Sequence, residues 1–263
     1  SPDGNQRAVC MIKSVVLTIL CYVCAAMPIT AQIAAPEGMV EIPAGEFWLG
    51  RAYANDNDAE DNQPRAFRDD RPANLVYLDA FYIDRYEVTN ADWARFLEAT
   101  DGQAPWHWPE GRFPDGQDRQ AVSNVNWFEA TAYCEVGGKR LLTETEWEKA
   151  VRGGLDRKIY AWDGAVAADA YRPQFEAGGP AGVSLNKAAE VGSYPPNDYG
   201  LHDMIGNVME WTADWYDENY YVAAPESDPP GPTNEDEALV KRVLRGGSWL
   251  TDNIVSEFLR SSF

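Results

Sequence analysis

The stretch Gly138-Lys139-Arg140-Leu141-Leu142-Thr143-Glu144-Thr145-Glu146-Trp147-Glu148-Lys149-Ala150-Val151-Arg152-Gly153-Gly154 carries its own punctuation. Thr143 and Glu146 stand in capping-box relation, each side chain placed to satisfy the other's orphan backbone N–H at a helix start. The helix so opened runs to Arg152. Gly153-Gly154 stops it, because glycine takes without strain the left-handed turn that a helix C-terminus needs.

Two more helices flank this one. Thr89 to Leu97 has a capping residue and an acidic first turn, with Trp93, Phe96 and Leu97 on one face at i, i+3 and i+4. A second runs from about Asn126 to Val136 and stops at Gly137-Gly138. Strands are shorter. Glu41 to Gly50 reads as two of them around a Pro-Gly turn, Leu75 to Tyr82 alternates apolar and polar residues as a third, and Arg242-Val243-Leu244 gives a brief signal. Asn55 to Arg71 and Pro225 to Glu237 are expected to be exposed loops. With 21 Gly and 17 Pro beside 10 Trp and 13 Tyr, the composition opposes a helical bundle. It favours one loop-rich α+β domain with an aromatic core.

The formal charge of −20 repels phosphate backbones and argues against nucleic acid as a partner. Near the N-terminus, Met11-Ile12-Lys13 opens a basic stretch and Val15 to Met27 forms an apolar run. Pro28-Ile29-Thr30-Ala31 then offers a small residue for cleavage. This is the order of a secretory signal, too short for a comfortable membrane span. The expectation is therefore an N-terminal extension and signal peptide over residues 1–35 and one domain over residues 36–263. The mature chain would be exported, periplasmic or secreted, with no stable membrane anchor after cleavage. Of the four cysteines Cys10, Cys21, Cys24 and Cys134, only the last would survive, which leaves no internal disulfide and no thiolate pair for a soft metal. Cys134 falls on the second helix, where packing is its expected role.

Asp203 and Glu210 flank a Gly-containing turn in Tyr199-Gly200-Leu201-His202-Asp203-Met204-Ile205-Gly206-Asn207-Val208-Met209-Glu210-Trp211. Carboxylates with carbonyls between them are the hard oxygen donors that Ca²⁺ takes. A capped turn with both acids in ordinary hydrogen bonds is the alternative. His107, in the aromatic loop Trp106-His107-Trp108, and His202 are expected to be surface or packing histidines. The aromatic loop and the run Asp214 to Tyr221 read either as a groove for peptide or sugar or as core and ordinary surface.

Six stretches, in order, resemble the formylglycine-generating enzyme (sulfatase-modifying factor) family. They are Ile42 to Phe47, Tyr86-Glu87-Val88-Thr89-Asn90, Gly138 to Glu148, Tyr199 to Met204, Gly206 to Trp211, and Arg245-Gly246-Gly247-Ser248-Trp249. The resemblance spans roughly residues 37 to 263 and implies an expanded C-type-lectin-like fold. It implies a structural calcium held by the side chains of Asp203 and Glu210 and the carbonyls of Gly206 and Val208.

The resemblance breaks at the reaction. Oxidising relatives hold Cu(I) between two cysteines after the Gly-Gly-Ser stretch, and here those positions fall on Thr251 and Ser256, with Ser248 beside them. Hydroxyls are hard, neutral donors that do not hold Cu(I) in water, so copper is not expected. Met209 stands where the oxidases carry a substrate-groove tryptophan. A branch resembling ergothioneine-type sulfoxide synthases would need several histidines for iron, and the chain has two. Similarity to exported maturation factors of siderophore biosynthesis, which also lack the copper cysteines, suggests a maturation factor acting on a peptide or peptide-derived substrate. The alternative is a non-catalytic, calcium-stabilised lectin-like binding module.

Overall fold

A computed structural model of the chain describes residues 35–50, 69–155, 188–235 and 237–248. Six short strands and three α-helices are defined among them: β1 (Met39–Ile42), β2 (Gly45–Leu49), β3 (Asn74–Leu78), β4 (Phe81–Asp84), α1 (Asn90–Thr100), α2 (Trp127–Val136), α3 (Glu144–Arg152), β5 (Glu210–Trp215) and β6 (Arg242–Arg245). The strands join as three antiparallel pairs, β1 with β4, β2 with β3 and β5 with β6. The Pro-Gly turn between β1 and β2 therefore separates two pairs rather than closing a hairpin. The stretch from Leu75 to Tyr82, expected as one strand, is two. Asp79 lies between them, and its amide donates to Asp228 Oδ1 instead of to a neighbouring strand.

All three helices start as the sequence expects. Thr89, Asn126 and Thr143 are N-caps, and each forms a reciprocal capping box with the acid three residues on, Asp92, Glu129 and Glu146. Gly153 ends α3 in the left-handed region. Trp147, Ala150 and Val151 lie on one face of α3 at i, i+3 and i+4. They pack with Ile42, Leu78, Phe81, Leu201, Met204 and Ile205 into the main core. Trp93, Trp108 and Val122 centre a second cluster, in which α1 meets α2 through the stacked rings of Trp93 and Tyr133.

The other face of α3 is buried as well, so its charges need partners. Glu148 is fully buried. It accepts hydrogen bonds from the Gly50 amide at 2.7 Å and from Arg152 at 2.7 and 3.1 Å, and more weakly from Tyr221 and Arg245, both at 3.3 Å. One carboxylate thus ties α3 to the end of β2 and to β6. The two segments expected as solvated loops are partly pinned down. Asp70 is buried and Asp69 accepts from the Tyr216 hydroxyl, although residues 51–68 lie outside the described residues. Pro229 is fully buried, and the Asp228 amide donates to Tyr77 O at 2.8 Å.

Candidate functional site

The segment from Gly200 to Glu210 leaves the main core and enters β5 through a tight loop. Asp203, Gly206 and Asn207 take positive φ angles of 60°, 92° and 54°. Met204 and Ile205 point into the core and fasten the loop from below. Its polar side chains are each engaged. Asp203 Oδ2 accepts from the Gly192 amide at 2.7 Å. The Gly206 amide donates to Gly246 O at 2.8 Å. Asn207, one per cent exposed, accepts from the Ala189 amide at 2.8 Å and donates to Glu87 Oε2 at 2.5 Å. The Val208 amide donates to Glu87 Oε1 at 3.2 Å. Glu210 accepts from the indole N–H of Trp147.

The structure therefore brings together Asp203 and Glu210, the two acids singled out from the sequence. It adds a third, Glu87, which sequence reasoning had quoted only as part of a motif. Burial pushes all three carboxyls up. Glu210 reaches about 8, with Asp203 adding to the shift and the Trp147 bond opposing it. Glu87 stands well above the ordinary carboxylate range through burial and then the charges of Glu210 and Asp203. Asp203 is raised by burial and relieved by the Gly192 amide and His202. No lysine or arginine among the described residues lowers any of the three.

The donor set can be tested against a cation on two further points. Among the described residues no three His, Cys, Asp or Glu side chains form a metal-holding group, so an ion here would have to draw on backbone oxygens. Among the same residues neither Gly206 O nor Val208 O accepts a hydrogen bond, and Gly206 is buried. Carbonyls without donors are normally satisfied by something else. Oxygen-only ligands with an excess of negative charge fit a hard cation such as Ca²⁺.

Beside the loop a cleft of about 500 Å³ opens between β4, α2 and the start of β5; Glu87, Glu210, Trp93, Tyr133, Cys134 and Trp211 are among its lining residues. Burial and then Asp84 raise the Cys134 thiol, which suits packing rather than reactivity. His202 bonds to Tyr194 O at 2.9 Å and rests on the Tyr86 ring. His107 lies 3.4 Å from Asn124 between Trp106 and Trp108. Neither histidine belongs to a metal-holding group among the described residues. In the aromatic loop Trp108 is core, whereas Trp106 is 82% exposed. Ser248 ends the turn that follows β6, in which Gly246 and Gly247 take φ angles of 88° and 72°. Thr251 and Ser256 lie outside the described residues.

Comparison with known proteins gives a consistent set of likenesses. The model of the sulfatase-modifying factor enzyme 1-like domain matches residues 25–263. A formylglycine-generating enzyme of Streptomyces coelicolor is 35% identical over 81% of this chain and 79% of its own length. The mouse formylglycine-generating enzyme is 32% identical, and the match spans 66% of its length. An inactive Cα-formylglycine-generating enzyme 2 of Bos taurus is 30% identical over 81% of this chain and 76% of its own. Among solved structures, PvdO from Pseudomonas aeruginosa aligns with a TM-score of 0.64 at 27% identity. That alignment covers 84% of this chain and 86% of PvdO.

Proposed function

Because the chain belongs to the sulfatase-modifying factor enzyme 1-like family, we propose that it is an exported maturation factor acting on a peptide-derived substrate by chemistry other than copper oxidation. The reading rests on Thr251 and Ser256 in the sequence, at the positions to which the family resemblance assigns the oxidising relatives' cysteine pair. Alcohol oxygens do not fit Cu(I). The relatives include proteins named as inactive formylglycine-generating enzymes, so the scaffold persists without that reaction. The scaffold is an expanded C-type-lectin-like fold, stabilised by calcium between Asp203, Glu210 and the carbonyls of Gly206 and Val208. Bound there, the ion would neutralise the carboxylates and fix the loop, and it takes no part in chemistry. The chain's own groups nearest the Gly-Gly-Ser turn then set its shape: Gly206 holds Gly246, and Trp147 packs against both Glu210 and Arg245.

One observation favours a second reading, a calcium-stabilised binding module. Trp106 and Phe128 are 82% and 74% exposed, and large aromatics in water often serve recognition.

A single preparation separates these readings. The mature protein is offered copper and calcium together, analysed for bound metal, and then incubated with a cysteine-containing peptide under air. Calcium without copper, and no peptide aldehyde, is the expected result. Stoichiometric Cu(I), or aldehyde formation, would overturn the reading. Peptide retained without any change of mass would favour the binding module.

A further inference from the structure

A second cavity, of about 260 Å³, opens beside β6 and shares no lining residue with the cleft near the cation loop. Charges of both signs face it. Asp69 and Asp217 line it together with Lys241 and Arg242, yet among the described residues no ion pair joins either cation to either acid. Each pole has its own fastening. Arg242 lies between the rings of Trp127 and Trp215, 3.7 and 3.4 Å from their centres, and uses one of its five N–H donors on Ala213 O at 2.8 Å. Tyr216 stands between the poles: its hydroxyl donates to Asp69 Oδ2, and Lys241 Nζ lies 5.9 Å from its ring centre. Asp217 Oδ1 accepts the Asn219 amide at 2.9 Å. The second oxygen of each acid accepts nothing among the described residues. Two further acids on the same wall, Asp70 and Glu144, have cations of their own in Arg71 and Arg245.

We propose that this cavity binds a small zwitterion, an amino acid with an apolar side chain. Its carboxylate meets Arg242 and Lys241, its ammonium meets Asp69 and Asp217, and its side chain rests against Tyr220, Pro232 and Leu244. A guanidinium offers paired N–H groups in a fork that matches a carboxylate. An ammonium has three donors, for which the two unengaged carboxylate oxygens are acceptors. A lone anion would face Asp69 and Asp217, and a lone cation would face Lys241 and Arg242. A ligand of one charge is therefore opposed by half the wall, whereas one carrying both is opposed by neither. Cavities for drug-sized ligands run to about 300–1,000 Å³; this one is smaller, which suits a single amino acid rather than a longer peptide. Arg242 and Asp69 are held before the ligand arrives, so binding has little ordering to impose on them. The site needs no part of the reaction proposed above.

Calorimetric titration of the full chain with free phenylalanine tests this, beside N-acetyl-phenylalanine, which lacks the ammonium, and phenylalanine amide, which lacks the carboxylate. Saturable binding of phenylalanine is expected, with each blocked form weaker by about 10-fold or more. Arg242→Met should weaken phenylalanine by a similar factor and leave its amide little changed. Asp69→Asn should weaken phenylalanine and leave the N-acetyl form little changed. No saturable binding of phenylalanine up to millimolar concentration would overturn the proposal. So would a blocked form that binds as well as phenylalanine, the mark of a simple cation or anion site. Should Arg242→Met fail to fold, Asp69→Asn with the three ligands decides. An equal loss for phenylalanine and its N-acetyl form would show that Asp69 shapes the wall without meeting the ammonium, and would sink the assignment.

Discussion

The Gly206 amide and the Gly246 carbonyl meet across 2.8 Å, so the candidate cation loop and the Gly-Gly-Ser turn form one hydrogen-bonded unit. Gly246 has φ at 88°, and a Cβ there would stand 3.1 Å from Met204 O and 3.4 Å from Trp147 Cζ2. Gly246→Ala meets both backbone strain and crowding against backbone that cannot swing away. A loss of about 1–3 kcal/mol is expected from strain of this kind. In a chain of this size that is a few degrees in melting temperature, roughly 2–4 °C per kcal/mol. Denaturant melts check it, and a neutral outcome would show that the turn and loop move independently.

Glu148 is the group whose removal should cost most. It is fully buried, and Arg245 and Arg152 are one and four per cent exposed. Deleting one partner of such a network strands buried positive charge, at a cost of about 3–5 kcal/mol. Glu148→Ala is expected to fall in that range by urea unfolding. Combining it with Arg245→Met should recover part of the loss, because the stranded guanidinium goes too. Strict additivity of the two changes would contradict the pairing.

The helices were legible because their signals are local. Thr143 with Glu146, Asn126 with Glu129 and Thr89 with Asp92 each settle a helix start within four residues, and Gly153 settles an end. The strands were less legible because pairing is not local. β1 and β2 are adjacent in sequence yet belong to different pairs, and Asp79 breaks an alternating run by bonding to Asp228, 149 residues away. β5 went unread although Glu210 to Trp215 alternates polar and apolar residues as a strand does: its first residue was read with the turn before it and its last two with the aromatic run after it, and the polar Thr212 and Asp214, not the tryptophans, are its buried places. In the site, Asp203 and Glu210 were recognisable from spacing within one loop. Glu87 was not, since only the folded chain brings its carboxylate to Asn207 and Val208.

Stability should rise as the pH falls from 8 to 6. Burial, opposed by Arg245 and reinforced by Asp214 and Glu148, raises Glu144 from an ordinary 4.5 to about 7, and burial likewise raises Asp214 to about 6. Between the unfolded and folded values the native state holds more protons. The stabilising contribution is thus full below about 4.5 and is lost as pH climbs through about 7. For Glu144 alone the change between pH 8 and 6 is on the order of 1 kcal/mol. Glu210, raised to about 8, adds to the same slope, so melts across this range should show a slope that Glu144→Gln flattens in part. An equal slope in the variant would place the titration elsewhere.

Arg242 offers a test of how β5 and β6 are held against α2. Its guanidinium lies between two indoles, 3.7 Å from the Trp127 ring centre and 3.4 Å from that of Trp215, while Nη1 donates to Ala213 O at 2.8 Å. Trp127 is fixed in turn by its own N–H on Thr212 O. A flat, weakly hydrated cation can cover two aromatic faces at once, whereas an ammonium on a flexible stem cannot. Arg242→Lys is therefore expected to lose about 1–2 kcal/mol although the charge is kept, as desolvated cation–π contacts are of that size. Arg242→Met keeps an apolar filling without the charge and should lose a similar amount. Tryptophan emission and near-ultraviolet circular dichroism report the two rings directly. If the lysine variant melts and emits like the native chain, charge alone holds the sandwich, and the planar stacking contributes nothing measurable.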